Sequence, residues 1–78
     1  MNQSVNATLD ARGLNCPLPI LKTKKELAKL SKGETLQVQA SDPGSVKDMS
    51  SFCQQTGNEL ISSENSEGNF IFVLRKTS

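Results

Sequence analysis

Apolar and polar residues alternate in some stretches of this chain and recur at three-and-four spacing in others, and that rhythm sets out an order of elements. Ala7, Leu9 and Ala11 alternate with Thr8, Asp10 and Arg12, as a half-buried strand requires, until Gly13 breaks the pattern. From Pro17 the positions Ile20, Thr23, Leu27 and Leu30 keep helical spacing, Leu21 and Ala28 widen the stripe at its edge, and Gly33 is the expected C-cap. Leu36, Val38 and Ala40 alternate with Gln37 and Gln39, which predicts a second strand of the same kind. S-D-P-G-S then signals a turn, after which Val46, Met49, Phe52 and Cys53 recur at helical spacing up to Gly57. Two starts for this second helix stand open: Asp42 as N-cap with Pro43 as first helical residue, or a capping box from Ser45 to Asp48. Asn58 to Ser63 and Phe70 to Leu74 read as two closing strands, joined around residues 65–69 by a hairpin with a bulge or a short loop.

The predicted order is strand, helix, strand, helix, strand, strand. Its fold class is α+β: a two-layer α/β sandwich, βαβαββ, with a mixed four-stranded sheet and both helices on one face. F-I-F-V-L is apolar on both alternations, which suits a central strand covered on both faces or one face kept for a partner. The other sheet face has no element left to cover it. With 78 residues the chain is expected to form a single domain over 1–78 around one small core, residues 1–5 being flexible.

Charge changes this picture locally. The net charge is only +1, yet residues 17–33 hold Lys22, Lys24, Lys25, Lys29 and Lys32 against Glu26, a balance of +4 that leaves −3 on the rest. Lys22, Lys25, Lys29 and Lys32 fall opposite the apolar stripe, whereas Lys24 falls by angle between Ile20 and Ala28 and must snorkel past the helix edge or sit where the core ends. Two readings of the lysines carry equal weight: a solvated face, or a docking surface for an acidic partner, with Lys22 and Lys25 as its candidate residues. The opening M-N-Q-S-V-N-A-T lacks the basic and apolar stretches of a secretory signal, and no run of 18 apolar residues occurs. A cytoplasmic protein without membrane insertion is expected.

The candidate chemistry lies in R-G-L-N-C-P-L-P-I-L, residues 12–21. Cys16 stands just before the first helix, and Pro17 and Pro19 fall where an opening turn tolerates them, because the first N–H groups lack helical partners anyway. A helix N-terminus favours negative charge, and such settings lower a thiol from about 8.5 to between about 3.5 and 7.5. The prolines remove two donors; the amides of Leu18 and Ile20 are expected to face the sulfur, and Arg12 to lie near it. Leu18 precedes a proline, so the first turn should be irregular. With no histidine in the chain, an internal Cys-His or Ser-His pair is excluded. Two cysteines alone make a poor zinc site, so no metal and no cofactor are expected. A Cys16–Cys53 disulfide is disfavoured without a secretory signal, and Cys53, in the apolar stripe of the second helix, reads as a core residue.

L-D-A-R-G-L-N-C-P-L-P-I-L-K, followed by G-E-T-L, S-D-P-G-S-V-K-D and F-C-Q-Q-T-G-N-E-L, resembles the TusA-like (SirA-like) sulfur carrier family from about Leu9 to Lys76. The resemblance implies a small cytoplasmic sulfurtransferase of the same βαβαββ order that carries sulfane sulfur as a persulfide on the cysteine of C-P-x-P, here Cys16. It implies Asp42, of the second motif D-P, near that cysteine, Cys53 as a non-carrier, and a sulfur donor protein (a cysteine desulfurase or rhodanese-like enzyme) together with a downstream acceptor protein. Relays for tRNA thiolation, sulfur oxidation and thiosulfate handling all agree with it.

Two other classes compete. A small RNA-binding module would use the lysine face, but the nearly neutral chain has three phenylalanines, no Trp or Tyr and no RNP-like aromatic motif, so direct nucleic-acid binding is not expected. A regulatory interaction domain would leave Cys16 a structural role at the helix start, where cysteine is not a preferred cap.

Overall fold

In the computed structural model, which describes residues 5–15 and 17–77, the six elements come in the predicted order. They are β1 (Ala7–Ala11), α1 (Leu18–Ala28), β2 (Thr35–Ala40), α2 (Ser45–Thr56), β3 (Glu59–Ser66) and β4 (Asn69–Arg75). The expectation of flexibility over residues 1–5 lies, apart from Val5, outside the described residues. So does everything expected of the Cys16 side chain.

The strands form one sheet in the order β1-β2-β4-β3. β1 runs parallel to β2, with Leu9 opposite Val38 and Ala11 opposite Ala40. β4 is antiparallel to both β2 and β3. The run that is apolar on both alternations is therefore a central strand. One alternation of the sheet, Leu36, Val38 and Ala40 beside Phe72 and Leu74, is fully buried against Thr23 and Leu27 of α1 and Met49, Phe52 and Cys53 of α2. The fold class is as predicted, with both helices over the same sheet face.

Two predicted boundaries are corrected. α1 ends at Ala28 rather than running on to a Gly33 cap, its last turn closing through the Lys29 amide onto the Glu26 carbonyl and the Leu30 amide onto the Leu27 carbonyl. Leu30 then turns inward to pack on the core, and its carbonyl accepts from Lys76 Nζ at 2.8 Å. Gly33 serves the next junction: at φ +93° its amide reaches the Lys76 carbonyl, which joins the approach to β2 to the chain beyond β4. The hairpin is also tighter than predicted. Ser66 pairs with Asn69, so the connection is only Glu67-Gly68, both left-handed at φ 50° and 85°, the signature of a two-residue turn that continues the strand twist. The irregularity expected in the loop sits instead within β3, where the register slips between Leu60 and Ser62.

For α2 the structure takes neither of the open starts: the helix begins at Ser45, with Gly44 as N-cap and no side-chain cap, and Pro43 stays outside it. Asp42 Oδ1 accepts from the Gly44 amide at 2.9 Å and the Asp42 carbonyl accepts from Ser45, so Asp42 turns the chain into the helix. Ser45 Oγ is buried with no hydrogen-bond partner, so the Ser45–Asp48 capping box is not formed. The other end is as predicted: Gly57 is left-handed and its amide returns to the Cys53 carbonyl.

Candidate functional site

Because β1 and β2 are parallel neighbours and each is followed by a helix, the loops that leave their carboxyl ends emerge at the same end of the sheet. One loop carries Arg12 to Pro17, the other Ser41 to Gly44. They are tied together: the Gly13 amide donates to Ser41 Oγ at 2.8 Å. The C-P-x-P segment and the S-D-P-G turn, 28 residues apart in the chain at that bond, thus become neighbours, and the N-termini of α1 and α2 open side by side.

The start of α1 is irregular, as a residue before proline demands. Pro17, at φ −95° and ψ 16°, stands as N-cap and offers no side-chain acceptor. The Leu18 amide donates to the Asn15 carbonyl at 2.9 Å, and the Ile20 amide to the Pro17 carbonyl at 3.1 Å. These are the two amides expected to face a sulfur at position 16, and both are spent on tight backbone bonds. Pro19 is fully buried, its carbonyl accepting from Thr23 Oγ1 at 2.8 Å, whereas Pro17 is exposed. Whether Arg12 lies near Cys16 falls outside the described residues; what the structure shows of Arg12 is an ion pair with Asp10. Its Nε and Nη2 fork onto the Asp10 carboxylate at 2.9 and 3.0 Å, and this arginine holds the Asp10 carboxyl down to about 2. Asp42 lies in the second loop, at the entry to α2. Cys53 is a free thiol with 4% of its surface exposed, and burial pushes it up to about 11.

Leu21, Ala28 and Val46 are residues that the hydrophobic pattern placed on the buried stripes and that are exposed. Leu21 was expected at the edge of the core, yet 56% of it is exposed, and Leu18 is 46% exposed. With exposed Lys22 and Lys25, Leu18 and Leu21 form one stripe at i, i+3, i+4 and i+7, leading away from the C-P-x-P end. The signal available in the sequence was that both leucines share the helical side of those lysines. On the flank of α1 that faces α2, an open groove of about 270 Å³ is lined by Pro17, Ile20, Asp48, Ser51, Phe52 and Gln55. It is smaller than the roughly 300–1,000 Å³ of a typical small-molecule site. Among the described residues no group of His, Cys, Asp and Glu could hold a metal, and no helix is long and apolar enough to cross a membrane.

Known proteins share this arrangement. The family model described as Sulfurtransferase TusA matches residues 7–76. A sulfur carrier protein TusA of Allochromatium vinosum is 56% identical over 69 residues, 88% of this chain and 91% of the relative. One of Pseudomonas aeruginosa is 38% identical over 76 residues, 97% and 96% of the two chains. Among solved structures, the SirA-like protein of Desulfitobacterium hafniense superimposes with a TM-score of 0.75 at 25% identity, over 92% of this chain and 99% of that one. The match runs through both loops and all six elements, and the chain belongs to the TusA family of sulfur carrier proteins.

Proposed function

We propose that this protein carries sulfane sulfur as a persulfide on Cys16 and passes it between partner proteins in the cytoplasm. The observation that supports this most is the junction of the two loops through Gly13 and Ser41, which sets the C-P-x-P segment at the open end where two helix N-termini converge. Each terminus contributes roughly half a positive charge and favours an anion nearby. Two local amides are already bonded, so the field of the helices rather than direct N–H donation from Leu18 or Ile20 has to favour the thiolate. A moderate effect suits a carrier, since a thiol of very low pKa attacks slowly.

In the loading step the Cys16 thiolate attacks the outer sulfur of a donor persulfide. A new S–S bond forms on Cys16, the donor's S–S bond breaks, and the donor leaves as a thiolate, the proton of its terminal S–H remaining with the transferred sulfur. Unloading repeats the exchange with an acceptor thiolate, so no outside oxidant is needed. A cysteine desulfurase or rhodanese-like enzyme is the donor class. tRNA thiolation, sulfur oxidation and thiosulfate handling are the relays in which such a step has a place. The exposed stripe of Leu18, Leu21, Lys22 and Lys25 is the docking surface for the donor, apolar at the reacting end and basic beyond it.

The test is loading by a persulfide donor, read by mass spectrometry of the intact chain. Wild-type protein and Cys53→Ser should each gain one sulfur atom, and Cys16→Ser none. A Cys16→Ser protein that still gains sulfur would falsify the assignment. Charge reversal at Lys22 or Lys25 should slow loading at low salt and matter less at high salt.

A further inference from the structure

Phe52 lines a second groove besides the one at Pro17. This one, about 230 Å³, lies further down the seam between the helices and is bounded by Lys24, Leu27, Ala28, Phe52, Thr56, Asn58 and Lys76. Its floor is apolar, two of its walls are cations, and no acid among the described residues lines it. Lys24 is exposed at the edge of α1, the snorkelling position its helical angle demands. Lys76 is half-buried, with Nζ fixed on the Leu30 carbonyl at 2.8 Å, so this second cation is held in place.

The local field decides which ligand the groove suits. Ala28 and Thr56 close α1 and α2, so two helix C-termini point here, each worth roughly half a negative charge. Against a total of about −1 stand two full positive charges, and the groove remains cationic. It is smaller than the roughly 300 Å³ lower bound of small-molecule pockets. Its apolar floor calls for a side chain, which a phosphate backbone does not provide.

We propose that this groove docks an extended acidic segment of a partner protein, with carboxylates on Lys24 and Lys76 and an apolar side chain over Phe52, Leu27 and Ala28. The site is separate from the Leu18–Lys25 stripe and needs nothing from Cys16, although its use rests on the reading that the chain works by meeting protein partners. It supplies a second handhold, so that one partner can be held at the far end of the seam while the C-P-x-P end stays open.

The probe is a capped peptide of alternating aspartate and leucine, titrated into the full-length protein while backbone amide chemical shifts are followed. Shifts should concentrate at Ala28, Phe52, Thr56 and Asn58 and saturate. They should weaken at least tenfold with Lys24→Glu, recover with Lys24→Arg, and persist with Lys22→Glu, Lys25→Glu and Cys16→Ser. The same peptide with asparagine for aspartate should bind at least tenfold more weakly. The proposal is overturned by an absence of shifts, by shifts centred on Leu18, Leu21, Lys22 and Lys25, by equal binding of the asparagine peptide, or by shifts that depend on protein concentration alone, which would mean a second copy. Failure of the wild-type protein to gain sulfur, with peptide binding intact, counts against the carrier reading alone. Intact loading with no peptide binding counts against this site alone.

Discussion

α1 and α2 cover the same sheet face, yet they are built for different ends. α2 enters through the Asp42 turn, carries Asp48 in its first turn, buries Met49, Phe52 and Cys53, and stops at a left-handed Gly57. Neither helix has a side-chain cap, but α1 enters through two prolines with no acid in its first turn, and it leaves Leu18 and Leu21 in solvent. The missing acid gives up the dipole stabilisation that Asp48 supplies in α2, and the exposed leucines give up burial that Met49 and Phe52 keep. One helix anchors the layer and the other presents residues to something outside it.

Substitution at the two apolar positions should separate the helices most. Met49→Ala removes a fully buried side chain and should cost about 2–5 kcal/mol. At roughly 4–8 °C per kcal/mol for a domain of this size, thermal melting should fall by at least about 8 °C. Leu21→Ala should stay within about 0.5 kcal/mol of wild type while slowing transfer from the donor. Equal losses of stability at the two sites would end the contrast.

The helix ends give a smaller effect. Alanine at Gly57 would meet no neighbouring atom, so its cost is that of a left-handed backbone alone, about 1–2 kcal/mol in urea unfolding. Lys29→Ala, at the ordinary right-handed end of α1, should leave the urea midpoint almost unchanged.

The finest difference is one of pH. Burial raises the Cys53 thiol from 9.0 to about 11, so the folded state favours the protonated form. That contribution is complete below about pH 9 and disappears as pH rises through about 11. Cys53→Ala should therefore lose stability less steeply than wild type across this window, a comparison in which the shared lysines cancel. Parallel slopes would mean that the α2 thiol is not as enclosed as its packing indicates.

Much of this architecture was legible in the residues. Strict alternation gave β1 and β2 because one face of each is buried, and Gly57 was readable because only a glycine takes that helix end cheaply. Gly33 misled because the same left-handed preference also serves loops, and here its amide was needed by Lys76 across the sheet. Glu67 at φ 50° carries no residue-type signal for a tight turn, so the hairpin looked longer than it is. At the site, the motif named the segment but not its bonds. That the Leu18 and Ile20 amides close on Asn15 and Pro17, and that Arg12 folds back on Asp10, depends on backbone geometry that two nearby prolines distort.

The sheet order has a bearing on how the molecule comes into being. β4, the last of the six elements to be synthesised, lies between β2 and β3, so a nascent chain that has not yet reached it has a paired β1–β2 ribbon and an orphan β3 with nothing to join them. Leu36, Val38 and Leu60 would meanwhile lack Phe72 and Leu74 as cover. Assembly must therefore wait for synthesis to pass Arg75, and until then the growing polypeptide offers sticky edges that chaperones or neighbouring chains can seize.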